Sequence, residues 1–203
     1  MITFVDLIDY FGTFAFAISG IRLASHKEFD VFGAFIVGMA TAVGGGTIRD
    51  LMLQQSPFWM TQWSYFLVGF LALMLYASFR HFFIKIDLTI FLFDTIGLGL
   101  FTVVGFQKTI DAGFQHWVAI LMGMLTGAAG GVIRDVLLNE IPIIFRSEIY
   151  AMACFAGGIV FSVCLLVGLP NWVAQVLCGT VVIVIRLLAV KNHWQLPTLH
   201  SDD

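Results

Sequence analysis

The sequence predicts an all-α polytopic membrane protein: seven transmembrane helices, built as two inverted three-helix repeats plus a seventh helix. Three observations predict this. Of 203 residues, 60% are hydrophobic and only 11% charged, with a mean hydropathy of +0.96, whereas a soluble domain carries about 25% charged residues. Seven apolar runs reach membrane-spanning length. The chain also repeats itself at an offset of 85 residues.

The predicted spans cover residues 4–21, 31–53, 63–79, 88–106, 117–138, 149–167 and 172–188. Short polar breaks separate them, and Pro57, Pro142 and Pro170 fall in those breaks, where helices are expected to stop. The whole chain, 1–203, reads as a single transmembrane domain. Repeat one covers about 4–80, repeat two about 87–168 and the extra helix about 171–190, with a loose polar tail over 191–203. Met1 runs almost directly into the first span with no basic segment before it, so no removable signal peptide is expected.

Lys and Arg set the orientation. Arg22, Lys27, Arg80, Lys85, Arg134, Arg146, Arg186 and Lys191 collect on the side of the odd-numbered loops and the C-terminus; the other side holds Arg49 and Lys108. The positive-inside rule then expects the C-terminus in the cytoplasm and the N-terminus outside; the expected location is the cell inner membrane.

The repeat runs without a gap. Asp9 falls on Asp94, Gly12 on Gly97, Thr41 on Thr126, Gly45-Gly46 on Gly130-Gly131 and Ile48-Arg49-Asp50 on Ile133-Arg134-Asp135. Leu53, Pro57 and Tyr65 fall on Leu138, Pro142 and Tyr150. A unit with an odd number of spans inserts upside down relative to its copy. The two copies are then related by a pseudo-two-fold axis in the membrane plane, with the pathway near the interrupted helices.

Those helices are the second and fifth spans. Gly38, Ala42 and Gly46, like Gly123, Gly127 and Gly131, form small-residue ridges that admit a close neighbour. The run Gly44-Gly45-Gly46 weakens the helix and predicts a break or kink facing protein or water. It is milder in the second copy, where Ala129 replaces the first glycine. Arg and Asp are costly inside a span, about 2.5–3.5 kcal/mol each. Arg49-Asp50 and Arg134-Asp135 are adjacent, about 100° apart around a helix, and are expected to pair poorly with each other. Asp9 and Asp94 are the expected partners. Alternatively, Arg49 snorkels to the interface and the glycine ridges serve packing alone.

With these motifs, GGGTIRD and GGVIRD 85 residues apart, the chain resembles the prokaryotic branch of the trimeric intracellular cation channel (TRIC) family from Asp9 to about Leu188. The same bacterial family is also described as a glycine-transporter group. The resemblance implies a homotrimer with a pore in each subunit, conducting monovalent cations, mainly potassium. It implies that Gly44, Gly45, Gly46, Gly130, Gly131, Thr41 and Thr126 line or kink the pore. Arg49, Asp50, Arg134, Asp135, Asp9 and Asp94 would set its charge or gate it. A secondary transporter of a small solute such as glycine fits the same motifs.

The remaining features point away from other classes. His26, His81, His116, His193 and His200 form no metal-ligand pattern, so no metal, cofactor or enzymatic activity is expected. There is no basic run for nucleic acid. Cys154, Cys164 and Cys178 lie in apolar runs and read as small core residues. Trp59, Trp63, Trp117, Trp172 and Trp194 fall near span ends and read as an interfacial belt.

Overall fold

A computed structural model describes residues 3–85, 88–146 and 148–197. The described residues form nine α-helices: α1 (Phe4–His26), α2 (Val31–Met52), α3 (Phe58–Thr61), α4 (Ser64–Ser78), α5 (Arg80–Lys85), α6 (Thr89–Asp111), α7 (His116–Leu137), α8 (Ala151–Leu166) and α9 (Asn171–Lys191). A 3-10 turn, Ile143–Phe145, lies between α7 and α8. Thr3 and Asp6 close a capping box at the start of α1.

The limits of α1 and α2 recur 85 residues later as those of α6 and α7. Five helices, α1, α2, α6, α7 and α9, are long and apolar enough to cross a membrane. α4 and α8 are apolar but have only 15 and 16 residues, about 22–24 Å at 1.5 Å per residue, against a hydrocarbon core of about 30 Å. α4 accounts for the third predicted run, 63–79, and α5 follows it after Phe79. Position 87, where repeat two was expected to begin, lies outside the described residues.

Equivalent helices meet reciprocally. A Cβ on Gly45 would overlap the Thr126 carbonyl oxygen, and one on Gly130 would overlap the Thr41 carbonyl oxygen. Likewise Gly12 abuts the Phe101 ring and Gly97 the Phe16 ring. Residue numbers thus rise along one helix as they fall along its mate, so α1 crosses α6, and α2 crosses α7, in antiparallel fashion.

The glycine run does not interrupt its helix. α2 is continuous through Gly44–Gly46 and α7 through Gly130-Gly131. Cross-helix contact at the glycines offsets their weak intrinsic propensity. Helix ends follow common rules: Gln54 and its mate Asn139 take left-handed conformations, φ 56° and 54°, closing α2 and α7 by C-terminal capping turns.

Beyond α9 the chain turns at His193, and Gln195 pairs with Glu148 in an antiparallel bridge; 198–203 lie outside the described residues. The three cysteines are free and buried. Trp63, Trp117, Trp172 and Trp194 are exposed.

Candidate functional site

The ends of α2 and α7 each carry a buried charge cluster. Around α7, Arg134 donates from Nη1 to Asp94 Oδ1 of α6 at 2.6 Å and to Ser19 Oγ of α1 at 2.6 Å. Its Nε donates to Asp135 Oδ1 at 2.9 Å, and Nη2 lies 2.8 Å from the same oxygen. Asp135 Oδ2 accepts the Ile143 N–H at 3.1 Å. The Tyr150 hydroxyl donates to Asp94 at 3.5 Å.

Around α2, Arg49 Nε donates to Asp50 Oδ1 at 2.8 Å, and Asp50 Oδ2 accepts the Phe58 N–H at 2.9 Å. The Arg49 guanidinium lies 5.7 Å from the Phe58 ring centre. Asp9, however, does not meet Arg49. Its Oδ2 accepts from Lys108 Nζ of α6 at 2.9 Å and from the Tyr65 hydroxyl at 3.2 Å. Lys108 Nζ stands 5.1 Å from the same Phe58 ring.

Two expectations are corrected here. The adjacent Arg-Asp pairs do pair, both times. The reason lies at the helix end. Phe58 and Ile143 are the first residues of short helices whose proline N-caps offer no side-chain acceptor, so their N–H groups are orphan donors. Asp50 and Asp135 reach forward to satisfy that donor, as it must be satisfied in a membrane. This brings the carboxylate past the helix end, within reach of the long Arg side chain. Nor does Arg49 snorkel: it is fully buried.

The two clusters differ by two substitutions. Ser19 of the Arg134 cluster is mated to Val104, and Lys108 of the Arg49 cluster is mated to Leu23. Arg49 therefore has no hydroxyl opposite it, and its Nη1 finds no hydrogen-bond partner among the described residues; the same holds for Asp9 Oδ1 and Asp94 Oδ2. The Arg49 cluster brings together two basic side chains (Arg49, Lys108) and two acidic ones (Asp9, Asp50). The Arg134 cluster brings together one basic side chain and two acidic ones (Asp94, Asp135), with the Arg186 guanidinium 5.0 Å from the Tyr150 ring beside it.

The glycines make room for these groups. A Cβ on Gly46 would strike the Phe58 ring, one on Gly131 the Tyr150 hydroxyl, and one on Gly44 the Ile133 side chain. Thr41 and Thr126 turn their hydroxyls to Val37 and Met122 carbonyls within their own helices, at 2.7 and 2.6 Å.

Cavities approach both clusters. One of about 280 Å³ is lined by Leu23, His26, Ile90, Arg134, Asp135, Glu140, Ile143 and Arg146, with Lys27 paired to Glu140 at 2.5 Å and Arg146 3.8 Å from the other Glu140 oxygen. That ammonium, hydrogen-bonded to Glu140 and attracting its charge, holds the carboxyl below its usual range. Another, of about 300 Å³, is lined by Val5, Asp6, Gln107, Lys108 and Asp111. Val5, Lys108 and Asp111 are the repeat mates of Ile90, Leu23 and His26. Between the cavities, α2 and α7 touch at Thr41–Gly130 and Gly45–Thr126.

Sequence reasoning named Asp9, Arg49, Asp50, Asp94, Arg134 and Asp135 but missed Ser19, Lys108, Phe58 and the role of the tyrosines. The matched Tyr65 and Tyr150 were the available signal. Lys108 falls in a predicted loop, whereas α6 runs on to Asp111 and turns it inward.

An all-helical membrane protein with two related sets of ion-paired side chains buried among its helices is the class these observations define. The chain belongs to the family described as "Glycine transporter", whose model it matches in two segments, residues 6–81 and 91–165. It is 39% identical over 199 residues to the UPF0126 inner membrane protein YadS of Escherichia coli (strain K12), covering 97% of this chain and 96% of that protein. It is 38% identical to a UPF0126 membrane protein of Vibrio cholerae, covering 95% and 81%. Its fold is that of the prokaryotic TRIC channels. The TRIC orthologue from Rhodobacter sphaeroides superposes with a TM-score of 0.89 at 33% identity, over 93% of this chain and 98% of that one. A prokaryotic TRIC channel in 0.5 M KCl gives 0.87 at 28% identity, over 97% and 100%.

Proposed function

We propose that the chain is a monovalent cation channel, passing potassium, that assembles as a homotrimer with a pore inside each subunit. The pore is lined by α2 and α7 and runs between the two cavities, past Asp9 and Arg49, the Thr41–Gly130 and Gly45–Thr126 contacts, and Arg134 with Asp94. The observation that carries this reading is the Arg134 cluster. Its one guanidinium faces two carboxylates, so the site attracts a cation despite the arginine. The similarity to structures described as TRIC cation channels supports it, and the trimer rests on that similarity.

In this reading the chain crosses the inner membrane seven times as two inverted repeats plus α9, with α4 and α8 as the short third spans. The antiparallel, reciprocal contacts of α1 with α6 and of α2 with α7 support the inversion. The excess of Lys and Arg on one side supports a cytoplasmic C-terminus, which makes the Glu140 cavity the cytoplasmic mouth. Opening parts α2 from α7 at the glycine contacts. No enzymatic step is assigned.

Single-channel recording of the purified protein in a planar bilayer, under a potassium gradient, tests the proposal. Discrete openings that reverse near the potassium equilibrium potential are expected. A silent bilayer, with saturable glycine uptake by liposomes of the same preparation, would overturn it in favour of a transporter.

A further inference from the structure

A cavity of about 430 Å³ lies where the α1–α2 turn meets the end of α4, away from both charge clusters. Ser25, Glu28, Asp30, Tyr76 and Arg80 are the polar residues among those that line it. Tyr76 is only 4% exposed, and its hydroxyl has no hydrogen-bond partner among the described residues. Such a buried hydroxyl is costly unless something polar enters beside it. Asp30 commits only Oδ1, to the Gly33 N–H at 2.6 Å. Glu28 and Arg80 take part in none of the ion pairs formed by the described residues.

The second repeat shows the same place without these features. Ile21 and Tyr76 are mated to Phe106 and Phe161, whose rings stack at 4.2 Å. Ser25, Asp30 and Arg80 are mated to Ile110, Gln115 and Leu165. Glu28 is mated to Gly113, and both are left-handed, at φ 61° and 86°. A glycine suits that backbone and a glutamate is penalised there. Repeat one thus lacks the stacked ring pair and the easy turn residue, and has two hydroxyls, two carboxyl groups and a guanidinium around a cavity.

We infer that this cavity binds a zwitterion carrying a primary ammonium and an oxyanion. Glu28 and the free oxygen of Asp30 take the ammonium, Arg80 at the rim takes the oxyanion, and the Tyr76 hydroxyl completes the ligand's hydrogen bonds. Two sources have this chemistry: the headgroup of an ethanolamine phospholipid and a free amino acid.

The test uses the full-length protein with Tyr76→Phe, which reproduces the ring of Phe161 and removes only the hydroxyl, and Glu28→Gly, which installs the residue of the second repeat. Both are expected to fold. Calorimetric titration in detergent with phosphoethanolamine and with glycine reads the soluble source. Native mass spectrometry after equilibration with mixed phosphatidylethanolamine and phosphatidylglycerol reads the lipid source. Wild type is expected to bind a soluble zwitterion or to retain phosphatidylethanolamine over phosphatidylglycerol, and the arm that responds names the source. Tyr76→Phe is expected to weaken that binding about fivefold, the loss of one hydrogen bond, and Glu28→Gly to weaken it further. Binding in neither arm overturns the inference, as does wild-type binding in both variants.

Discussion

Arg134 holds Asp94 at 2.6 Å, whereas Arg49 and Asp9, the same two residues one repeat earlier, are held apart. In their place Lys108 pairs with Asp9 at 2.9 Å. The duplicated motif therefore yields one closed Arg-Asp bridge between helices and one open one, and the difference lies in residues outside the motif.

Removing Arg134 leaves two buried carboxylates without their cation. Arg134→Met is expected to destabilise the protein by about 3–5 kcal/mol. Arg49→Met should cost less, because Asp50 keeps its amide donor and Asp9 keeps Lys108. Thermal denaturation of both variants in the same detergent checks the order; equal losses would mean the two clusters carry equal weight.

Ser19→Ala removes a neutral partner from a charged donor. A loss of about 1.5–3 kcal/mol is expected, the range for hydrogen bonds to charged groups. The size of the loss relative to a Ser162→Ala control, measured by the same melt, reports whether Arg134 uses that hydroxyl.

Lys108→Met gives the Arg49 cluster the charge of the Arg134 cluster, one cation with two carboxylates. In the channel reading, cation current should rise at the end of the pore that Lys108 occupies, so the current–voltage curve becomes asymmetric. A symmetric curve with unchanged conductance would remove Lys108 from the pathway.

Gly45→Ala and Gly130→Ala press a Cβ into a backbone carbonyl, which cannot turn aside. Each is expected to cost about 1–3 kcal/mol through overpacking. Gly44→Ala meets only the flexible end of Ile133 and should cost less. Gly45→Leu should abolish flux. If flux and stability both survive, the α2–α7 contact is not the constriction.

Glu140 answers to pH. Its carboxyl is held low by Lys27, so the stabilisation is fully present above the unfolded-state value of about 4.3. It is lost as pH falls through the lower folded value. Lys27→Met should remove that acid-side step from a melting-temperature profile by lowering the neutral-pH plateau towards the acid-side value, where wild type and variant converge.

Much of this molecule was legible in its sequence. Apolar length located the five long helices within a few residues, because the bilayer fixes how many residues a span needs. The 85-residue offset named Asp9, Asp94 and both Arg-Asp pairs, because burying the same costly charges twice leaves an obvious mark. What the sequence could not decide was who pairs with whom. Whether Arg49 reaches Asp9 depends on a lysine 99 positions after Asp9, and Arg134 uses a serine 115 positions before it. The glycine run, weak in isolation, stays helical because α7 packs directly against it. Local pattern set the helices and the repeat, since those depend on propensity and burial along one segment. The pairing of buried charges was decided only in the tertiary structure, where side chains from four helices compete for the same few oxygens.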